Sequence, residues 1–346
     1  MSKRRADSWQ GGRYASGRCW RRGWFCAAAL VSLLLGGWLI GPAAGGAAAQ
    51  GERAIDDPLE LAKSRVWDVH GRYAVRGTKV HVPSLRAMLR TGLMRLTGQE
   101  DTSAAWRCFI GEEDVVALTF TALGSHSLGT NTAVCAALLE SLYEAGFKAE
   151  QFMIVGLEEL PASAAQTRPC PYGWQAREVD FGSDSDYLAS WLDQVTAIIN
   201  VPTFMDDNVI KFRGALTNLS LPLIKRPGRF YVNQGDPFLA EICALGEIEA
   251  KVRLHIANGL RLVYYGGPEV QQRYVYEHGS LLFSLDPVAL DRVGLQLTRR
   301  VRANAVLPEG AGRNLTVRYL ETACALGLGY NDLSFIDYRY GEHGKW

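Results

Sequence analysis

A three-layer α/β fold, with a mostly parallel sheet and helices on both faces, is what this sequence predicts. Three observations carry the prediction. Its apolar runs are continuous rather than alternating, which marks strands buried on both faces. Helical patterns stand between those runs, giving βαβ order. The 346 residues are 48% hydrophobic and 21% charged, the balance of a folded domain. That composition argues against a disordered chain, a collagen-like repeat or a multi-span membrane protein.

The elements follow in chain order. Residues 1–49 read as an export signal. Arg21 and Arg22 precede an uncharged apolar run over residues 24–40, Gly41-Pro42 breaks it, and Ala47, Ala48 and Ala49 offer a small-residue exit. The run is short for a membrane span. Cleavage near Ala49 is the expectation, with a retained membrane anchor as the alternative. Arg21-Arg22 also has a twin-arginine look. Residues 50–112 are less regular and read as an N-terminal extension or an edge. The main domain is residues 113–346. Within it, residues 114–122 form a β-rich strand, and a turn with two glycines follows. Thr130-Asn131 can cap a helix over residues 133–145, whose stripe is Val134, Ala137, Leu138, Leu142 and Ala145. Residues 152–155 and 195–200 are further strands, and residues 186–194 have a helical look. Residues 252–256, 260–265 and 281–284 read as strands. Helices are expected from Pro287 to about Arg300 and around residues 317–326.

Charge and cysteines narrow the function classes. The overall net charge is +1, but residues 1–50 carry seven basic residues against Asp7 alone. The remainder is −5. A mildly acidic body argues against nucleic-acid binding. Cys108, Cys135, Cys170, Cys243 and Cys324 are widely spaced with no C-x-x-C, so no zinc or iron–sulfur cysteine motif is encoded locally. The chain also lacks G-x-S-x-G, a Walker loop, G-x-G-x-x-G and H-E-x-x-H. That lowers the serine-hydrolase, nucleoside-triphosphatase, dinucleotide-oxidoreductase and zincin readings.

Several stretches read together. They are Ala-Ile-Ile-Asn-Val-Pro at 197–202, Gly-Ala-Leu-Thr-Asn-Leu-Ser at 214–220, Val-Arg-Leu-His-Ile-Ala-Asn at 252–258 and Gly-Gly-Pro at 266–268. Leu-Asp-Pro-Val-Ala-Leu-Asp at 285–291 and Ala-Leu-Gly-Leu-Gly at 325–329 complete the set. In this order and spacing the chain resembles the "domain of unknown function 362" family over roughly residues 110–340. The resemblance implies an α/β fold. Some members are fused to ferredoxin-like iron–sulfur modules and many are exported by twin-arginine signals, so it also implies export and a redox partner. The chain departs from the family where ligand contacts are expected. Thr119 and Thr121 stand where the family tends to carry Lys and Asn. Met205, Asp207 and Thr217 stand where it tends to show Lys, His and Lys, and Asn218 is retained.

Doubly wound sheets bind ligands at the carboxyl ends of their strands. That rule places loops 123–131, 200–208, 257–268 and 284–291 together. Asp286 before Pro287 reads as a helix cap, with ligand contact as an addition. Asp291, one turn on, faces solvent or the same crevice. Asp206, Asp207 and Asn208 form an oxygen-rich loop suited to a hard cation, or a solvated turn. His126, in Gly-Ser-His-Ser, sits where a helix start can hold an anion and titrates near neutrality; a loop histidine is the plainer reading. His255, in an apolar strand, reads as packed. Gly266 and Gly267 allow close backbone approach to a ligand or simply turn the chain. The candidate set is therefore His126 and Asp207 for catalysis, Asn200, Asn218, Gly266, Gly267, Asp286 and Asp291 for a ligand, and Asp206 with Asp207 for a metal. The cofactor is left open beyond that metal. The first reading is an exported periplasmic or extracellular protein that binds a small molecule or metal in this crevice and touches a membrane only through an uncleaved N-terminal segment. The rivals are an acid–base enzyme on the same crevice and a non-catalytic interaction protein with a decayed family site.

Overall fold

The computed structural model describes residues 63–312 and 315–343, and the signal-like stretch 1–49 lies outside them. Nine strands build one mixed sheet. They are β1 (Ser64–His70), β2 (Val116–Phe120), β3 (Phe152–Val155), β4 (Ala197–Val201), β5 (Thr203–Asp207), β6 (Lys211–Arg213), β7 (Val252–Val263), β8 (Val275–Ser284) and β9 (Ile336–Glu342). The order is β9-β1-β8-β7-β4-β2-β3. Strand β5 continues beside β7 beyond the end of β4, and β6 folds back on β5.

Strands β3, β2, β4 and β7 run parallel. Strand β8 is antiparallel to both β7 and β1, and β1 is parallel to β9. The sheet is thus mostly parallel, as its continuous apolar runs require. Val116, Leu118 and Phe120 pack to one face with helices α1 (Val82–Thr97), α2 (Thr102–Arg107) and α3 (Asn131–Glu144). Ala117 and Ile198 pack to the other, under α4 (Ala215–Asn218), α5 (Phe238–Cys243), α6 (Pro287–Asn304) and α7 (Tyr319–Ala325). Two cores on opposite faces make the three layers. No helix among the described residues is long and apolar enough to cross a membrane.

Some elements differ from the sequence reading. Residues 186–194 are not a helix. Ser185–Ala189 is a strand paired with Trp174–Asp180 in a separate hairpin, followed by a short 3-10 turn at Ser190–Gln194. Pairing across that hairpin overrides local propensity. The two strands expected at 252–256 and 260–265 are one long strand, Val252–Val263, with a register shift near Gly259. Ser64–His70, from the stretch read as an extension or edge, pairs on both sides and lies one strand in from the sheet's edge. The same stretch holds the sixteen-residue α1, which buries Leu85, Met88, Leu89, Gly92 and Leu93. That spacing is an amphipathic helix signal, and Pro83 in the first turn marks its start.

Candidate functional site

The chain leaves β2 for β3 on one side, while β4 lies on the other. This is the switch point at which doubly wound sheets open a crevice. Here the crevice is filled by the chain's own amides and hydroxyls. Asn218 Nδ2 donates to Asn200 Oδ1 (2.7 Å) and to the Thr119 carbonyl (3.0 Å). Asn200 Nδ2 donates to the Ala215 carbonyl (3.0 Å) and to His255 Nδ1 (3.1 Å). Thr121 Oγ1 donates to Asn218 Oδ1, and Thr203 N donates to Thr121 Oγ1. Beyond them Asn258 Nδ2 donates to Asn131 Oδ1 (2.6 Å) and Thr130 Oγ1 (2.9 Å). Thr130 occupies the α3 cap position, but its side chain makes no cap bond; its hydroxyl serves Asn258 instead. All of these side chains are buried. Both amide hydrogens of Asn200 and of Asn218 are used inside the protein. Asn200 and Asn218 are therefore brought together as expected, but nothing of them is left for a ligand. His255 is packed: it accepts from Asn200, so it is neutral, and burial pushes its pKa down to about 3.

Asp291 also faces inward. Its carboxyl accepts from the first two amides of α4, Ala215 N (2.5 Å) and Leu216 N (3.0 Å). A Cβ at Gly214 would collide with it. Burial raises its pKa to about 7, against the two amide bonds that lower it. Asp286 caps α6 through Ala289 N (2.7 Å), and its other oxygen accepts from Ser64 Oγ (2.6 Å) and Tyr330 N (2.9 Å). It does not join the crevice. Because β8 is antiparallel, Ser284 pairs with His255 and the chain then runs on toward the amino ends of the parallel strands. Loop 284–291 therefore lies opposite the other three loops.

The metal expectation is corrected by the partners of the two aspartates. Asp207 Oδ2 accepts from Arg213 Nε (2.7 Å), and its Oδ1 from Val209 N and Ile210 N. Asp206 Oδ1 accepts from Arg302 Nη1 (2.6 Å), and its Oδ2 from Gly267 N (3.3 Å). Each buried carboxylate thus faces a guanidinium, and a cation would have to displace it. The same bonds fill Asp207 Oδ1 and tie Oδ2 to the Arg213 guanidinium, so the carboxylate expected as a base is engaged within the protein. No group of three or more His, Cys, Asp or Glu among the described residues is placed to hold a metal. Gly266 and Gly267 turn against this loop: a Cβ at Gly267 would collide with the Asp206 carbonyl. Their close backbone approach is to the protein itself. His126 is exposed beside a shallow hollow of about 240 Å³ shared with Thr132, Glu158 and Glu159. None of the other expected site residues lines it.

A different cluster at the same end of the sheet was not singled out. It lies where the carboxyl ends of β7, β1 and β9 meet the start of β8. Asp68 on β1 is fully buried. Its Oδ2 accepts from His278 Nε2 (2.8 Å) and from the Tyr338 hydroxyl (2.7 Å), and its Oδ1 has no hydrogen-bond partner among the described residues. Rings surround the pair. Tyr276 stacks on His278 at 6.5 Å, while Tyr340 lies 6.4 Å from His278 and 5.9 Å from His70. Burial and the Asp68 charge push the Tyr338 and Tyr340 hydroxyls up, so both stay protonated donors. His278 and Tyr276 line a hollow of about 450 Å³, closed on its far side by Leu297, Arg300, Val301 and Asn304 of α6. That volume suits a small organic molecule.

The signal for this cluster was present as three strand dipeptide repeats: Asp68-Val-His70, Tyr276-Glu-His278 and Tyr338-Arg-Tyr340. Period-two spacing puts each pair on one strand face. Nothing in the linear order says that β1, β8 and β9 are neighbours.

Residues 156–296 match the family model described as "Domain of unknown function (DUF362)". The match contains His278 and Arg300's helix start but neither Asp68 nor Tyr338. No curated protein matches the chain.

Proposed function

With residues 156–296 matching the DUF362 family model, we propose that this protein is exported, binds a small organic molecule at the carboxyl edge of its sheet and moves a proton there through His278. The crevice expected at the switch point gives way to the hollow under α6, three strands along the same edge. One observation carries the reading: a buried carboxylate orients a histidine that lines a cavity of about 450 Å³. Asp68 fixes the Nε2–H tautomer, which leaves the Nδ1 lone pair as the basic atom. Tyr338 shares the same carboxylate oxygen and holds it in place. Export rests on the basic and apolar segments of residues 1–49.

The test is deuterium exchange in D2O into small carbonyl compounds with an acidic α C–H, followed by NMR. The natural chain should accelerate exchange. His278→Gln should lose about a hundredfold or more of that acceleration, the usual worth of a positioned base, and Asp68→Asn should lose part of it. Full exchange activity in His278→Gln, or no acceleration by the natural chain across the panel, overturns the proton-transfer reading.

A further inference from the structure

Resting on that reading of the hollow, we infer that its ligand is a planar organic carboxylate held by Arg300. Arg300 lines the hollow and makes no ion pair with a carboxylate among the described residues. Two other arginines near the carboxyl edge are committed: Arg302 to Asp206, and Arg213 to Asp207. Arg300 is the one Lys, Arg, Asp or Glu among the residues that line the hollow, and Asp68 lies behind His278 and the Tyr338 hydroxyl, which both donate to its Oδ2. Arg300 is also the cation whose field opposes the rise in the Tyr338 and Tyr340 hydroxyls, so the guanidinium stands over the same cluster. The carboxyl terminus of α6 brings its carbonyls nearby, but a helix end carries about half a charge against the full charge of the guanidinium. The hollow is therefore positive.

Shape selects among anions. The walls are ring faces, Tyr264, Tyr276 and His278, opposed by the aliphatic Leu297 and Val301. Such walls accept a flat apolar body. A tetrahedral dianion such as phosphate needs several donors, and of those beside Arg300 in the lining Asn304 Nδ2 already donates to the Arg300 carbonyl, the Tyr264 hydroxyl to the Arg273 carbonyl and His278 Nε2 to Asp68. A carboxylate needs one fork of two N–H groups, which is what a guanidinium presents. With the carboxylate on Arg300, the flat body reaches back over Tyr276 toward His278.

The test measures binding of benzoate, benzyl alcohol and benzylamine to the full chain by titration calorimetry, in the natural protein and in Arg300→Gln, Tyr276→Ala and His278→Gln. Arg300 is exposed and Tyr276 is nearly half-exposed, so both variants should fold, and urea midpoints check that they do. Benzoate should bind, and the alcohol and amine should bind about tenfold or more weakly. Arg300→Gln should weaken benzoate by about tenfold or more, the loss of a charge-assisted pair. Benzyl alcohol binding as well as benzoate, or benzoate indifferent to Arg300→Gln, overturns the carboxylate assignment. If Tyr276→Ala or His278→Gln still weakens whichever probe binds, the hollow stands as a binding site and only the ligand class fails. If no probe binds, or binding ignores all three variants, the hollow itself is refuted.

Discussion

Asp291→Asn should cost this protein stability in acid and make it more stable in alkali. Asp291 is buried in α6 with its carboxyl against Ala215 N and Leu216 N, and its pKa is raised from an ordinary 3.8 to about 7. A raised carboxyl pKa means that the folded protein holds the proton after the unfolded chain has lost it. Stability from this group is therefore full below the unfolded value and is lost as pH rises toward 7. At about 1.4 kcal/mol for each tenfold, the loss amounts to about 4 kcal/mol. Asparagine mimics the protonated acid, with one oxygen still accepting and no charge to bury. The remaining mismatch, an NH2 facing an amide N–H, costs about 1–3 kcal/mol at every pH. The stability of Asp291→Asn minus that of the natural chain should thus climb by about 4 kcal/mol between pH of about 4 and about 8. Urea unfolding at a series of pH values, with the slope checked for constancy, reads this directly. A difference that stays flat with pH refutes the reasoning. So does a variant that fails to fold at any pH, because the two amide bonds would then outweigh the buried charge. Titration of His255, present in both proteins, cancels in the difference.

Other expectations concern the closed crevice and the turn beside it. Asn218→Ala should cost about 2–4 kcal/mol in urea unfolding, because it leaves the Thr121 hydroxyl and the Thr119 carbonyl without their amide partner and Asn200 Oδ1 with only the Thr119 hydroxyl in a buried network; a loss below about 1 kcal/mol would mean that water reaches them. Lys211→Gly should stabilise the protein by about 0.5–1 kcal/mol: Lys211, the first residue of β6 after the turn from β5, sits at φ 73°, and relief of left-handed strain exceeds the extra chain entropy of glycine. An unchanged or lower midpoint would show that its ammonium bond to the Asn208 carbonyl (2.9 Å) outweighs the strain.

The layers were legible because burial on two faces writes itself into each strand. Val-Val-Ala-Leu-Thr-Phe admits no polar face, and the α3 and α6 stripes repeat at helical spacing. The cap at Asp286 was legible too, because a cap and a following proline are local chemistry. Hairpin Trp174–Asp180 with Ser185–Ala189 was not, since its pairing partner lies outside any helical window. The candidate site was legible as a list of polar residues near strand ends, not as a geometry. Asn200 and Asn218 look the same in sequence whether they hold a ligand or each other. Asp206 and Asp207 look like a cation loop until Arg302, nearly a hundred residues on, is placed against one of them.

Sequence alone therefore determined the layered α/β plan, the helix cap at Asp286 and the mildly acidic body, all of which follow from short-range patterns and counting. Tertiary structure decided which polar groups are already spent. The antiparallel run of β8 carried loop 284–291 to the far end of the sheet, and the same reversal set His278 beside Asp68. Hydrogen bonds reach about 3 Å, so whether two side chains meet depends on strand order and direction, which residues hundreds of positions apart fix only once the sheet has closed.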